Sequence, residues 1–318
     1  MTTYKPLIVA ELNDGYTFRN LIEYFKCTNT AGNFVFDANG IGYEQQSANS
    51  DVLNKLVIRR ADLTNYHFDP PIGTTSIPIG IAMTELRNIT KSIGKKDSVQ
   101  LFTMEGQKYF FIRPMSQMNK SSAKTGVSYV LIKDVEQVQY SVDGYTRPID
   151  QPNCTAPVAD FAKMCTSMST MKFSYVLVKG YPRGISFEGI VDGNITGKID
   201  RFGDCTQAQV EANGVSSELV QFVASLNLQP KGVTVPAPGA APAKAEPRLQ
   251  LNVVTNVPQL RIGMQTIKAL SKLNNLCPNG TLRLTLEDDL PLRLTCKIGS
   301  YGELTIYIRE NTQTAPRS

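Results

Sequence analysis

The sequence predicts an α+β protein made of two similar halves, with amphipathic helices on one side of antiparallel sheets. Three observations lead there: a chain of 318 residues, above the usual size of one domain; a helix-plus-hairpin pattern found once in each half; and a helix-plus-strands pattern that also occurs twice.

The first pattern opens with Thr17 to Thr28, where Phe18, Leu21, Ile22 and Phe25 recur at helical spacing. It continues into Phe34-Val35-Phe36, a turn at Asn39-Gly40, and the return strand Gly40-Ile41-Gly42-Tyr43-Glu44. The copy runs from Val158 to Ser169, with Val158, Phe161, Cys165 and Met168 as its apolar stripe. Tyr175 to Val178, a turn at Pro182-Arg183-Gly184, and Gly184-Ile185-Ser186-Phe187-Glu188 follow. Both return strands read Gly-Ile-x-aromatic-Glu, the signature of a β-hairpin behind a helix.

The second pattern is a helix from Met83 to Ile93, a strand from Val99 to Phe102, a turn at Glu105-Gly106, and a strand from Tyr109 to Ile112. Its copy is a helix from Met264 to Leu273, a strand from Leu282 to Leu286, a turn near Asp288-Asp289, and a strand from Leu292 to Ile298. In each helix a methionine precedes a lysine by eight positions, as Met83 and Lys91, then Met264 and Lys272.

Between these units Arg113 to Ala123 is polar and reads as a loop, and Tyr129 to Ile132 as a strand. Asp134 to Pro148 lacks helical periodicity and reads as a connector. The expected division is therefore a first domain over 1–133, a connecting loop over 134–149, a second domain over 150–310, and a tail over 311–318. Gln229 to Pro247, rich in Pro and Ala, is too poor in large apolar groups to order itself and reads as a disordered insertion, 229–247.

Composition removes several classes of function. His67 is the only histidine, which argues against a His-dependent triad or a multi-His metal site. The six cysteines are scattered without a CxxC pair, so they read as reduced, mostly buried thiols, and neither a metal nor a cofactor is expected. An enzyme using Asp288 and Asp289 is disfavoured, because adjacent strand residues face opposite sides and carboxylates in a hairpin turn are solvated. No stretch approaches the roughly 18 consecutive apolar residues of a membrane helix, and the start lacks the pattern of a signal peptide, so an intracellular protein without a membrane partner is expected.

The net charge of +5 is small, and its placement carries more information. Opposite their apolar stripes the four helices present seven basic residues, Arg19, Lys26, Arg87, Lys91, Lys163, Lys268 and Lys272, against three acidic ones, Glu23, Glu85 and Asp160. Helices gathered on one side of a sheet pool such charge on one surface, which suits phosphate backbones and offers little base readout.

Three segments extend the picture: Thr17-Phe18-Arg19-Asn20-Leu21-Ile22 before the Phe34 hairpin, Asp134-Val135-Glu136-Gln137-Val138, and the ending from Asp289-Leu290-Pro291-Leu292 through Cys296-Lys297-Ile298-Gly299 to Gly302-Glu303-Leu304-Thr305-Ile306-Tyr307-Ile308. In order and spacing they resemble the opening helix, connecting loop and closing strands of DNA sliding clamps, the proliferating-cell-nuclear-antigen family. The resemblance implies a DNA-clamp fold of two topologically similar domains in a homotrimeric ring, with helices lining a channel and sheets forming the wall. It implies a non-enzymatic processivity factor whose partners are double-stranded DNA, a clamp loader, and DNA polymerase and other proteins carrying clamp-binding peptides. The seven basic residues are then the DNA contacts.

A peptide pocket beneath the connector maps to Val138, Tyr140, Pro291, Tyr307 and Ile308, with at most one of the last two facing it. Tyr129 to Lys133 is expected to pair with Gly193 to Ile199 of the next subunit, and the protein to act in the nucleus or at an intracellular site of viral DNA replication. A monomer of the same fold that grips DNA electrostatically is the alternative. The chain departs from the family in its positive charge, its long insertion between Gly203 and Leu249, and its ending Ile308-Arg309-Glu310, departures that a divergent clamp of a large DNA virus would carry.

Overall fold

The computed structural model describes residues 5–116, 126–136, 142–191, 195–205 and 257–310. The predicted insertion 229–247, the tail 311–318, and Val138 and Tyr140 lie outside the described residues.

The first half runs β1 (Pro6–Leu12), α1 (Gly15–Thr28), β2 (Ala31–Asp37), β3 (Gly40–Gln46), β4 (Val52–Arg59), β5 (Asn65–Phe68), β6 (Ser76–Ala82), α2 (Met83–Thr90), β7 (Asp97–Met104), β8 (Tyr109–Ser116) and β9 (Ser128–Leu131). The second runs β10 (Cys154–Pro157), α3 (Val158–Thr170), β11 (Tyr175–Tyr181), β12 (Arg183–Val191), β13 (Ile195–Asp204), β14 (Gln259–Ile262), α4 (Met264–Leu270), β15 (Thr281–Thr285), β16 (Leu292–Ile298) and β17 (Gly302–Ile308). The pairings repeat with the elements: β2 with β3 and β6 matches β11 with β12 and β14, and β7 with β1 and β8 matches β15 with β10 and β16. The two motif glycines explain the shared Gly-Ile-x-aromatic-Glu. A Cβ on Gly40, at φ +139°, would lie 2.1 Å from the Ile58 carbonyl oxygen, and one on Gly184 2.5 Å from that of Asp204. Only glycine lets each hairpin approach its neighbour so closely.

Three sheets result. β5-β1-β7-β8-β9 and β13-β12-β11-β14 flank a central sheet ordered β10-β15-β16-β17-β4-β3-β2-β6, in which β17 of the second half pairs with β4 of the first. Strand alternation sends one face of the central sheet into the core: Leu292, Leu294, Cys296, Leu304, Ile306, Ile308, Leu56, Ile58 and Tyr43 all belong to one buried apolar cluster. The helices cover that face. Phe25 of α1 stacks on Tyr43 of this sheet, with centroids 4.0 Å apart, and Phe161 of α3 meets Phe187 of the flanking strand β12 edge-on at 5.6 Å. Each such large side chain contributes roughly 1.5–3 kcal/mol by leaving water.

Helix boundaries follow local chemistry. Asp14 caps α1 by accepting from the Thr17 N–H at 2.9 Å. α2 ends at Thr90 and α4 at Leu270, earlier than periodicity predicts; α4 tightens into a 3₁₀ turn over Ser271–Asn275, and Ile93 and Leu273 remain buried beyond the helix ends. Arg113 does not open a loop. β8 continues to Ser116 opposite Asp97, because the Arg113 guanidinium lies 5.2 Å from the Phe102 ring and donates to Gln100 Oε1 at 3.3 Å, so cross-strand pairing overrides local polarity.

Candidate nucleic-acid and peptide-binding surfaces

The helices form one continuous layer in the order α2-α1-α4-α3. Across the halves Asn20 Nδ2 of α1 donates to the Asn275 carbonyl at 3.0 Å, and Thr266 in the first turn of α4 donates to Asp51 Oδ2, in the turn before β4, at 3.1 Å. The apolar stripes face the sheets, so the opposite faces share the outer side of this layer. Lys26, Lys91, Lys163 and Lys268 are exposed there and Lys272 half-buried, and among the described residues none of the five has a carboxylate within ion-pair distance.

The two arginines are differently engaged. Arg19 donates from Nη1 to the Ile93 carbonyl at 3.2 Å, fastening α1 to the end of α2, and its Nε lies 4.0 Å from Glu23 Oε1. Arg87 Nη2 reaches the same oxygen at 4.0 Å. One carboxylate thus draws both guanidiniums, and the open positive charge of the layer is carried by lysines. Lys95 and Lys96 beyond α2 and Lys172 beyond α3, outside the periodic helix segments, are also exposed, and Lys95 Nζ lies 5.9 Å from the centre of the Tyr16 ring on α1.

On the other face of the central sheet, Tyr307 stands on β17 between Arg293 and Leu53 of the neighbouring strands. Ile308, the alternate residue, lies in the core cluster and does not reach this surface. Pro291 is buried close by. The connector is tied down at both described ends. Just before its start, Lys133 N–H donates to the Gly80 carbonyl at 2.8 Å and Lys133 Nζ pairs with Glu85 at 2.6 Å, and within it the Val135 carbonyl accepts from Asn33 Nδ2 at 2.6 Å. At its end, Tyr145 donates its hydroxyl to the Pro291 carbonyl at 2.5 Å, with its ring 6.1 Å from that of Tyr307. Tyr145 thus joins Pro291 and Tyr307; it sits in a segment without periodicity, so nothing local singled it out. Burial pushes its phenol up from the ordinary value, and it stays a neutral donor.

Glu287 holds the next residues, accepting from the Thr146 N–H at 2.9 Å, Thr146 Oγ1 at 2.7 Å and the Arg147 N–H at 3.0 Å. Burial alone would raise its carboxyl, but these bonds and the Arg293 charge outweigh it and hold the group below the ordinary 4.5. A lowered folded value means that the latch contributes its full stability above pH 4.5 and loses it as the pH falls through that lower value. Hydrogen exchange at Thr146 and Arg147, corrected for intrinsic rates, is therefore expected to lose protection on acidification below that range, and a Glu287→Gln chain to show no such step.

Beside the latch a cavity of about 500 Å³ is lined by Gly144, Asn153, Tyr181, Pro258 and Leu290 among others, and by none of the predicted pocket residues. Asp288 and Asp289 are exposed in the turn after β15. Among the described residues no cluster of three or more His, Cys, Asp or Glu is placed to hold a metal ion, and no helix is long and apolar enough to cross a membrane.

No protein family recognised from sequence matches the chain, and no curated protein does. Among solved structures it is similar to the crystal structure of proliferating cellular nuclear antigen from Entamoeba histolytica, with a TM-score of 0.66 over 96% of this chain and 99% of that one, at 14% identity. The fold is the clamp fold. At that identity the similarity lies in architecture, over the whole of the doubled topology described above.

Proposed function

We propose that three copies of the chain close head to tail into a ring that encircles duplex DNA without sequence preference and slides along it, holding DNA polymerases and other proteins there. One observation carries this reading. Within the chain β17 pairs with β4, and by the correspondence of the halves β17 is equivalent to β9 and β4 to β13. β9 and β13 are both edge strands, so the equivalent pair is left for a neighbouring copy.

The register transfers with it. Thr305 opposite Lys55 becomes Val127 opposite Ile199 of the next chain, and these are exposed apolar residues, 40% and 45% accessible. Lys133 is committed to Gly80, so the available edge is centred on Val127 to Leu131, shifted from the sequence expectation. A head-to-tail operation that closes yields a ring, and the lysine-bearing helix layer then lines its interior.

Linkage by topology retains the protein on DNA, so weak lysine–phosphate contacts suffice and permit sliding. The proposal extends to a loader that opens the ring, to partner peptides bound at Tyr145, Pro291 and Tyr307, to a scaffold role without catalysis, and to action in the nucleus or at a site of viral DNA replication. The test uses linear duplex with biotinylated ends. Protein threaded onto it is expected to resist a high-salt wash when streptavidin blocks the ends and to be lost when they are free. Equal, salt-sensitive retention in both cases points instead to a monomer that grips DNA electrostatically.

A further inference from the structure

We propose that Arg293 is a positioning residue of the partner-peptide pocket, clasping the end of the connector and so fixing the pocket wall formed by Tyr145; the inference rests on the pocket reading above. Arg293 is 5% exposed on β16, a burial that strands a charge unless its donors are matched. Among the described residues no carboxylate lies within ion-pair distance of it. Its Nη2 reaches into the connector, donating to the Arg147 carbonyl at 2.8 Å and the Pro148 carbonyl at 3.2 Å, and also lies 3.4 Å from Thr285 Oγ1 on the neighbouring β15. Its guanidinium carbon lies 4.3 Å from the centre of the Tyr145 ring.

The division of labour with Glu287 is complementary. The acid takes the N–H groups of Thr146 and Arg147, and the base takes the carbonyls of Arg147 and Pro148. Three successive residues are thereby held from both polarities, immediately after the tyrosine that faces Tyr307. Arg293 stands on the face of the sheet away from the core, beside Tyr307, and it is the connector that covers it. What the arginine adds is a flat guanidinium whose Nη2 bonds two carbonyls while its carbon lies over the Tyr145 ring, a combination the compact lysine ammonium lacks. A pocket wall held this way is preorganised, and preorganisation lowers the ordering cost of binding.

The experiment uses the full chain and a fluorescein-labelled synthetic peptide ending in two phenylalanines, with hydrogen exchange at Thr146 and Arg147 as a second readout. Arg293→Met is expected to speed exchange at both amides and to weaken peptide binding about tenfold, with Arg293→Lys in between. Equal affinity in Arg293→Met and the unaltered chain overturns the role of Arg293, as does unchanged exchange. Failure of the unaltered chain to bind the peptide overturns the pocket itself.

Discussion

A chain carrying Val127→Asp and Ile199→Asp is expected to behave in light scattering as a single chain of 35.0 kDa, where the unaltered protein gives about three times that mass. The effect is large because each subunit junction then places two carboxylates opposite one another on an edge that otherwise buries two apolar side chains. Both residues are exposed in the single chain and absent from its core cluster, so the substitutions leave the fold intact. The paired change Val127→Cys with Ile199→Cys tests the register itself, and mild oxidation is expected to yield covalent trimers on a non-reducing gel. An unaltered mass in the double aspartate variant, or cysteines that never cross-link, contradicts the pairing derived from β17 and β4.

The second large effect concerns the helix layer. Replacing Lys26, Lys91, Lys163, Lys268 and Lys272 together by alanine is expected to lower duplex affinity at low salt by at least about a hundredfold and to flatten its salt dependence by several units of slope, since each lost phosphate contact removes about one. Arg19→Ala is expected to act differently. Arg19 holds the Ile93 carbonyl and shares Glu23 with Arg87, so its loss loosens the contact of α1 with α2 and lowers thermal stability more than it lowers the salt slope. Fluorescence anisotropy across a salt series, beside thermal denaturation, separates the two. A quintuple variant that binds as the unaltered chain does removes the lysines from the DNA-facing role.

The parts of the fold written in short-range pattern were legible. Helical spacing at Phe18, Leu21, Ile22 and Phe25, and the doubled Gly-Ile-x-aromatic-Glu strand, mark α1, α3 and their hairpins in the sequence itself, because amphipathic period and turn chemistry are local. What escaped depends on contacts between residues far apart in the chain. The polar run after Arg113 hid the end of β8, which is fixed by Gln100 and Phe102 across the sheet. The connector's anchors, Tyr145, Glu287 and Arg293, meet across about 145 positions, and no periodicity joins them. Charge on the helices was visible as a count, yet its commitment was not: only packing shows that Arg19 bonds the Ile93 carbonyl and that Glu23 lies within 4.0 Å of both guanidiniums, with no described carboxylate so near the lysines.

The most direct measurement is an electron micrograph of the purified particle in class averages. The expected result is a ring of three chains with an open centre wide enough for duplex DNA. A compact particle of one chain, or an assembly whose centre is filled, contradicts it.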